Sequence, residues 1–410
     1  MNFSLRCHLC HTVFPAGPLW VCDKCLGPLE VAFDYDAIRP LMSRAKIEAR
    51  PKNLWRYREL LPIEGEPRTG MHSGFTPLVK ADRLAARLGV AELYVKDDSV
   101  NHPTCSYKDR VVSVAATRAV ELGFTVFACA STGNLANAVA AYAARAGLEC
   151  FVFIPLDLEP AKVASISVFD PNIVAVRGNY DDVNRLCSQL LESTPWAFCN
   201  INIRPFYAEG SKTLTFEAVE QLGWTLPDEI IIPIASGCQF VRHRQAVREL
   251  IEYGLVRDDR TPAFTGAQAL GCAPVYNAFH SDMPERVLPV KPNTIARSIA
   301  IGNPSDGVYV NRIAKETGGV VEAVTEEEIV EAMRLLARTE GIFTETAGGV
   351  TIGVLAKLAR AGRWNGDETI VAYVTGHGLK TADVLASVNG HARRVEIDPT
   401  LKSFREKVTI

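Results

Sequence analysis

Four cysteines within the first 25 residues form a pattern that is typical of a metal site. They are Cys7, Cys10, Cys22 and Cys25, in the spacing C-x2-C-x11-C-x2-C. Each C-x2-C turn can bring two thiolates onto one tetrahedral Zn²⁺, and four thiolates leave no position for a reacting water. The pattern predicts a structural zinc ribbon that depends on the metal for its folding energy. Two disulfides, a ribbon without metal, or replacement of one ligand by His8 or His11 are the alternatives.

Lys108 lies near the end of a polar segment, 101–110, just before a helix that the periodicity predicts over 110–122. The positive end of a helix dipole disfavours a protonated amine there, so this lysine is a candidate nucleophile that could bond to an aldehyde. The segment taken alone is also typical of a solvated lysine in a charged turn.

Three further polar, glycine-containing loops come directly after predicted strands. They are 130–134, 234–239 and 374–380. In the first, backbone N–H groups, two hydroxyls and an amide meet at a helix N-terminus, which favours a carboxylate or phosphate. In the second, Gly237 can take a positive φ and the loop suits a phosphate, although the bare pattern is not specific. In the third, Thr375 can hydrogen-bond a ring nitrogen, and His377 is either a general base or a hydrogen-bonded turn residue.

The elements that must position these loops alternate between strands and helices. Runs rich in Val, Ile and Phe lie between segments of 3.6-residue periodicity, which predicts mostly parallel sheets covered by helices on both faces. The predicted strands are 124–130, 149–155, 172–177, 197–201, 229–234, 262–269 and 368–374. The predicted helices are 110–122, 135–146, 161–169, 181–191, 210–222, 240–253, 326–339 and 349–361. In such sheets ligands bind beyond the carboxyl ends of the strands, where these loops are expected.

Length and composition exclude several classes of protein. The chain has 410 residues, 44 Lys and Arg against 47 Asp and Glu, and 48% hydrophobic residues, which fits two or three globular domains. A net charge of −3 gives no electrostatic reason for a nucleic-acid or anionic-membrane partner. No apolar run approaches the about 20 residues of a membrane span, and the N-terminus has no signal-peptide pattern. We therefore predict a cytoplasmic protein with reduced cysteines.

Together, these motifs resemble those of the threonine synthase family, which are fold-type II enzymes dependent on pyridoxal 5′-phosphate (PLP). The matching segments are Pro103-Thr104-Cys105-Ser106-Tyr107-Lys108-Asp109-Arg110, Ser131-Thr132-Gly133-Asn134, Glu209-Gly210-Ser211-Lys212-Thr213, Thr346-Ala347-Gly348-Gly349 and Thr375-Gly376-His377-Gly378-Leu379-Lys380. The resemblance covers about residues 70–385, and some relatives also carry an N-terminal four-cysteine ribbon. It implies the α/β fold of the tryptophan synthase β type, with two doubly wound α/β domains beside the ribbon.

The resemblance also implies roles for the matching residues. Lys108 would be the Schiff-base lysine and would move protons at the substrate α, β and γ carbons. Asn134 would hydrogen-bond the cofactor O3′, and Thr375 would face its pyridine nitrogen. The substrate carboxylate would be held by Ser131, Thr132 and Gly133, and the cofactor phosphate by Ser236, Gly237, Cys238 and Gln239.

The reaction implied by the resemblance converts O-phospho-L-homoserine and water into L-threonine and phosphate by β,γ-elimination and β-addition. The sequence departs from the family pattern at the substrate phosphate, since Leu135 and Tyr207 stand where a hydroxyl and an arginine are expected. Arg204 or Lys212 could supply the missing cation. The alternatives are a PLP-dependent β-replacement or β-elimination enzyme, such as a cysteate synthase acting on O-phosphoserine and sulfite, and a zinc-ribbon scaffold protein with an inactive PLP fold.

The positions of the loops predict how the chain is divided. We expect a ribbon and N-terminal arm over 1–55, a large PLP-binding domain made of 56–115 and 205–395, a small α/β domain over 116–204 and a tail over 396–410. The expected partner is a small amino-acid substrate, and the family resemblance implies a homodimer.

Overall fold

Three β-sheets organise the part of the chain that the computed structural model describes, which is residues 2–131, 133–158, 160–178, 180–256, 260–387 and 395–408. The strands are β1 (Phe3–Cys7), β2 (Val13–Phe14), β3 (Leu29–Phe33), β4 (Leu78–Lys80), β5 (Glu92–Asp97), β6 (Val126–Ala130), β7 (Glu149–Pro155), β8 (Asn172–Val176), β9 (Ala197–Phe198), β10 (Glu229–Pro233), β11 (Ala263–Ala269), β12 (Val321–Val324) and β13 (Thr369–Val374). Their orders are β2-β1-β3, β8-β7-β6-β9 and β12-β11-β10-β13-β5-β4.

Helices separate most of these strands. They are α1 (Tyr35–Ile38), α2 (Arg44–Glu48), α3 (Asp82–Leu88), α4 (Lys108–Glu121), α5 (Asn134–Ala146), α6 (Pro160–Ser167), α7 (Tyr180–Ser193), α8 (Arg204–Glu209), α9 (Lys212–Gln221), α10 (Cys238–Glu252), α11 (Pro274–Phe279), α12 (Gly307–Glu316), α13 (Glu326–Glu340), α14 (Thr346–Arg360), α15 (Ala382–Ser387) and α16 (Leu401–Lys407). Short 3-10 helices cover Arg39–Leu41, Leu54–Leu60, Asp98–Val100, Arg297–Ile299 and Gly378–Thr381.

The two larger sheets confirm the predicted α/β class. All pairings in the four-stranded sheet are parallel, and the six-stranded sheet is parallel except where β4 joins its edge. Parallel strands need crossover connections, which the helices between them supply. Strands β6 and β10 are buried along their whole length, as expected for strands covered on both faces.

The small N-terminal sheet is antiparallel and packs onto the body of the protein. Strand β1 pairs with both β2 and β3. Alternate residues of β1 and β3, among them Leu5, Val31 and Phe33, are buried in the same hydrophobic cluster as α4, α5 and α10. Because every second side chain of a strand points to one face, the ribbon presents one apolar side to the rest of the chain.

Strands β6, β10 and β13 end at the three glycine-containing loops that the sequence singled out. Helices α5 and α10 begin within the last residues of the first two loops, at Asn134 and Cys238, and a 3-10 helix begins at Gly378 in the third. The predicted domain boundaries remain a prediction, although the four-stranded sheet is built only from strands between residues 116 and 204. Within the described ranges, no helix combines the length and the apolar character needed to cross a membrane.

Candidate active site

A cavity of about 1750 Å³ lies where the loops after β6, β10 and β13 meet. Ten of the twelve predicted cofactor-binding and substrate-binding residues line it. They are Lys108, Ser131, Gly133, Asn134, Arg204, Ser236, Gly237, Cys238, Gln239 and Thr375. Thr132 lies outside the described residues. The structure therefore brings together loops that are separated by more than 200 residues in the sequence.

Lys108 is the first residue of α4, and its side chain reaches the cavity. Its Nζ donates a hydrogen bond to the Tyr207 hydroxyl at 2.8 Å. The turn before Lys108 is fixed by the buried Asp109 carboxylate, which accepts from the Thr104 N–H and hydroxyl and from the Ser106 N–H. Burial raises the pKa of Asp109 to about 7, although these hydrogen bonds oppose the shift. The lysine thus stands on a rigid turn at a helix N-terminus.

A network of buried ion pairs stabilises α4, the helix that Lys108 begins. Arg110 donates to both Asp98 and Glu217, and Lys96 pairs with Glu217 at 2.9 Å. All four side chains are fully buried. Burial opposes ionisation of Glu217, but Arg110 and Lys96 overcome that cost and lower its pKa to about 2. The network ties α4 to β5 and α9 with paired charges.

The N-terminus of α5 presents a possible anion site. Gly133 is the N-cap residue, and none of the described side chains caps the helix. Exposed N–H groups at a helix start attract carboxylates and phosphates, because the helix dipole places positive charge there. Ser131 is nearby, and its Oγ accepts from the Gly133 N–H at 3.3 Å.

Asn134 contacts a residue that the sequence analysis did not single out. Its Nδ2 lies 3.0 and 3.1 Å from the two carboxylate oxygens of Glu345, which immediately precedes the Thr346-Ala347-Gly348-Gly349 motif. Burial raises the pKa of Glu345, and the hydrogen bond from Asn134 opposes the shift. The sequence offers one signal for Glu345, which is its position just before a glycine-containing helix start. No local pattern indicates that this carboxylate is buried.

The loop before α10 forms a second uncapped helix start. Gly237 has φ +93°, and a Cβ there would lie 2.9 Å from Val310 Cγ2 and 3.0 Å from Asp306. Only glycine fits such a position without strain. Among the described residues, the N-cap residue of α10 has no capping side chain, and only the Cys238 N–H has a side-chain acceptor nearby, Ser236 Oγ at 3.4 Å. The start of α10 can therefore receive a phosphate. Gln239 lines the cavity, but its side-chain amide donates to the Pro233 carbonyl.

Thr375 and His377 follow β13 on the other side of the cavity. Both line the cavity, and Thr375 is 8% exposed. The His377 Nδ1 accepts from the Leu379 N–H at 3.1 Å, and its ring lies edge-on to Phe343. This hydrogen bond fits the role of a turn residue, and the role of general base stays a prediction.

The two cations predicted to hold a substrate phosphate lie in different places. Arg204 lines the cavity, but its Nη2 donates to Asp306 at 2.9 Å and to Ser305. The prediction for Lys212 is corrected, because Lys212 is fully buried outside the cavity lining and pairs with Glu209 and Glu249 at 2.8 and 2.9 Å. A lysine with two buried carboxylate partners is held inside the protein by their charges.

One further polar group could serve a ligand. The Asn200 Oδ1 is buried, and no hydrogen-bond partner for it is found among the described residues. Asn200 also lines the cavity. Since buried polar atoms are almost always hydrogen-bonded, this oxygen is a candidate ligand contact.

The four N-terminal cysteines form a separate cluster. Their Sγ atoms all lie within 4.8 Å of one another, and all eleven cysteines of the chain are free thiols. A Cβ at Gly27 would come within 2.9 Å of Cys7 Sγ, so glycine leaves room for the cluster. The geometry suits a tetrahedral thiolate site.

Comparisons with known proteins agree with this geometry. A family model described as "Pyridoxal-phosphate dependent enzyme" matches residues 70–376. A threonine synthase of Methanocaldococcus jannaschii is 38% identical over 96% of this chain and 96% of its own length. One of Methanosarcina acetivorans is 37% identical over 99% of this chain and 98% of its own.

Solved structures show the same fold at low sequence identity. The processed form of threonine deaminase isoform 2 from Solanum lycopersicum is 19% identical, with a TM-score of 0.64 over 78% of this chain and 89% of that one. Maize serine racemase is also 19% identical, with a TM-score of 0.64 over 78% and 93%.

Proposed function

This chain belongs to the threonine synthases within the pyridoxal-phosphate dependent enzymes, and from that premise we propose how its residues work. It is a PLP-dependent lyase of the threonine synthase type, which converts O-phospho-L-homoserine and water into L-threonine and phosphate. The assignment of this activity to the cavity rests on one observation. The Lys108 amine reaches a cavity onto which two uncapped helix starts, those of α5 and α10, also open.

The residues present fit the cofactor. An amine and an uncapped glycine loop for a phosphate face one cavity. Asn200, whose buried Oδ1 has no protein partner among the described residues, also lines it. We propose that Lys108 attaches PLP and that Ser236, Gly237 and Cys238 hold its phosphate. Asn134 would contact O3′, and Thr375 would contact the pyridine nitrogen. A hydroxyl partner leaves that nitrogen largely unprotonated, unlike a carboxylate partner. Bound PLP supplies an electron sink for negative charge that develops on the substrate carbons.

The chain's own residues then bind the substrate and move its protons. Ser131 and Gly133, with Thr132, would hold the substrate carboxylate at the start of α5, which orients the α carbon toward Lys108. The Lys108 amine would take the α proton and then a β proton, and phosphate would leave from the γ carbon. Lys108 would return protons at the γ and α carbons, while water adds its hydroxyl at the β carbon and the departing phosphate accepts the remaining proton of that water. The Tyr207 hydroxyl, 2.8 Å from Nζ, would orient the amine between these transfers.

The decisive experiment uses the purified, PLP-loaded protein. Phosphate release and amino-acid products are measured with O-phospho-L-homoserine alone, and with O-phospho-L-serine plus sulfite. Threonine from the first substrate supports the proposal. Cysteate from the second, without threonine, supports the β-replacement alternative.

The Lys108→Ala variant tests the assignment of the reacting amine. It should lower kcat by about 100- to 10,000-fold, since it removes the group that moves the protons. Lys402→Ala, at a side chain that is 85% exposed, is the matched control and should leave kcat unchanged. A Lys108→Ala enzyme with normal turnover would contradict the assignment.

Three further parts of the proposal concern the whole protein. We propose that Cys7, Cys10, Cys22 and Cys25 bind one structural Zn²⁺, which metal analysis of the purified chain would detect. Because threonine synthases of this family resemble the chain over nearly its whole length, we also propose a homodimer, which light scattering tests. The free thiols fit a reducing, cytoplasmic location, which cell fractionation tests.

A further inference from the structure

Arg204 stands beside the loop proposed to hold the cofactor phosphate. Its Nη2 donates to Asp306 Oδ2 at 2.9 Å and to Ser305 Oγ at 3.3 Å. Asp306 in turn donates its backbone N–H to the Ser236 carbonyl at 2.9 Å. Two contacts therefore connect the guanidinium to the loop that leads into α10.

Asp306 also contacts the glycine of that loop. A Cβ built on Gly237 would lie 3.0 Å from both the carbonyl carbon and the Cβ of Asp306. The Asp306 carboxylate is therefore close to the place where a phosphate would meet the start of α10. An unpaired carboxylate there would repel a phosphate, and Arg204 neutralises it.

The loop itself offers few strong phosphate donors besides its backbone. The Gln239 amide donates to the Pro233 carbonyl. The Ser236 Oγ accepts from the Cys238 N–H at 3.4 Å, which leaves one neutral hydroxyl donor, and the Cys238 thiol is a weak donor. A guanidinium, by contrast, has five N–H donors, and the two contacts described for Arg204 use Nη2 alone.

A second arginine near the loop is engaged elsewhere. Arg242, one turn into α10, pairs with Glu209 at 3.1 Å and approaches Glu30 at 3.9 Å. It is 13% exposed, against 34% for Arg204, and it does not line the cavity. Arg204 is thus the better placed of the two to reach a bound phosphate.

We propose that Arg204 is a ligand of the cofactor phosphate and that Asp306 is the positioning residue that holds it at the loop. This rests on the proposed function only in requiring that the protein bind PLP. It differs from the sequence-based prediction, which gave Arg204 to the substrate phosphate. Charge-assisted hydrogen bonds of this kind are strong because both partners are ionised.

The test compares PLP with pyridoxal, which lacks the phosphate. Binding of both to the cofactor-free protein is measured by equilibrium dialysis for the wild type, Arg204→Gln, Asp306→Asn and Arg312→Gln. Arg204→Gln should weaken PLP binding about 10- to 100-fold and leave pyridoxal binding unchanged. Inorganic phosphate should tighten pyridoxal binding in the wild type but not in Arg204→Gln.

Asp306→Asn and Arg312→Gln supply an opposite expectation and a control. Asp306→Asn should bind PLP at least as tightly as the wild type, because a negative charge is removed while the amide oxygen can still accept from Arg204. Arg312 forms an ion pair with Glu285 at 3.4 Å and is 49% exposed, so Arg312→Gln should not change binding. Should Arg204→Gln fail to fold, Arg204→Lys takes its place; it keeps the positive charge but loses the guanidinium donors, and should weaken PLP binding while leaving pyridoxal binding unchanged.

Three outcomes would overturn the proposal. The first is unchanged PLP affinity with a raised KM for the phosphorylated substrate, which would return Arg204 to the substrate. The second is equal weakening of PLP and pyridoxal by Arg204→Gln, and the third is equal weakening of both compounds by Asp306→Asn. A wild-type protein that binds neither compound would instead reject the proposed function.

Discussion

At the scale of single residues, a buried carboxylate holds Asn134 in place. Glu345 is 2% exposed, and its two oxygens share the Asn134 Nδ2 donor. Asn134 begins α5 beside the four-stranded sheet, whereas Glu345 precedes α14 beside the six-stranded sheet. One hydrogen-bonded pair therefore joins the two halves of the cavity wall and fixes which way the amide points.

Removal of the Asn134 amide should cost stability in a pH-dependent way. Asn134→Ala leaves the Glu345 carboxylate buried without its donor, so the free energy of unfolding should fall by about 1–3 kcal/mol at pH 8. Burial raises the pKa of Glu345 and the Asn134 hydrogen bond opposes that shift, so the variant should raise this pKa further. The loss should be smaller at pH 5, where Glu345 can take up a proton. Urea unfolding at both pH values measures it.

The neighbouring Asn137 provides the control for this experiment. It lies three residues along α5, and its side chain accepts an exposed hydrogen bond from Ser165. Asn137→Ala should change the free energy of unfolding by less than about 0.5 kcal/mol at either pH. An equal loss for Asn134→Ala at pH 5 and pH 8 would show that Glu345 does not respond as described.

At the scale of elements, hydrophobic runs predicted the buried strands well. The run 149–155 matches β7, and 229–234 matches β10 with one residue less. These strands are apolar because helices cover both faces, so their pattern is visible without any knowledge of partners. Helices α10, α13 and α14 were likewise predicted to within three residues at each end.

Strand β5 was not predicted, because its charges are explained only by distant residues. It contains Lys96, which is fully buried and pairs with Glu217 of α9. A charged residue in a short strand ordinarily indicates exposure. Lys96 is buried here because it pairs with Glu217, which only the tertiary fold brings near. The pairing of Glu345 with Asn134 likewise depends on tertiary contact. Lys212 is a partly similar case: Glu209 is only three residues away, but its second partner, Glu249 of α10, is brought to it by the tertiary fold.

The ion network under α4 should be costly to break at one member. Arg110→Met leaves Asp98 and Glu217 buried without their main partner, and should lower stability by about 3–5 kcal/mol at pH 7. Burial disfavours the Glu217 carboxylate, but Arg110 and Lys96 hold its pKa at about 2. This acid therefore stabilises the wild type above about pH 4.5, and that contribution fades as the pH falls toward 2. Differential scanning calorimetry at pH 7 and pH 4 should show the smaller wild-type-to-variant difference at pH 4.

An exposed ion pair gives the matched comparison for Arg110. Arg58 and Glu66 are 2.9 Å apart, with side chains that are 44% and 81% exposed. Arg58→Met should cost less than about 1 kcal/mol, because water already solvates both charges. A similar effect of both variants would mean that the buried network contributes little to the stability of α4.

At the scale of the whole molecule, the N-terminal ribbon is part of the core. The centroid of the Phe33 ring lies 4.2 Å from Lys212 Nζ, and the Ala16 carbonyl accepts from Arg118 of α4. His8 lies edge-on to Tyr309 of α12, with ring centroids 4.8 Å apart. Lys212 therefore packs against the ribbon through Phe33. This contact gives the buried lysine a structural role.

Because the ribbon and the body share one core, loss of the metal should destabilise the entire chain. Cys10 is an exposed member of the cysteine cluster, so Cys10→Ser removes a ligand while changing little packing. The variant should contain less than one Zn²⁺ per chain and should unfold in a single transition at a lower Tm. A metal present at about 1,000 times its Kd stabilises a protein by about 4 kcal/mol, which sets the scale of the loss. Leu9→Ser, at a neighbouring side chain that is 59% exposed, should keep the metal and the Tm. Two separate transitions, with an unchanged second one, would instead mean that the ribbon folds independently of the body that carries the cavity.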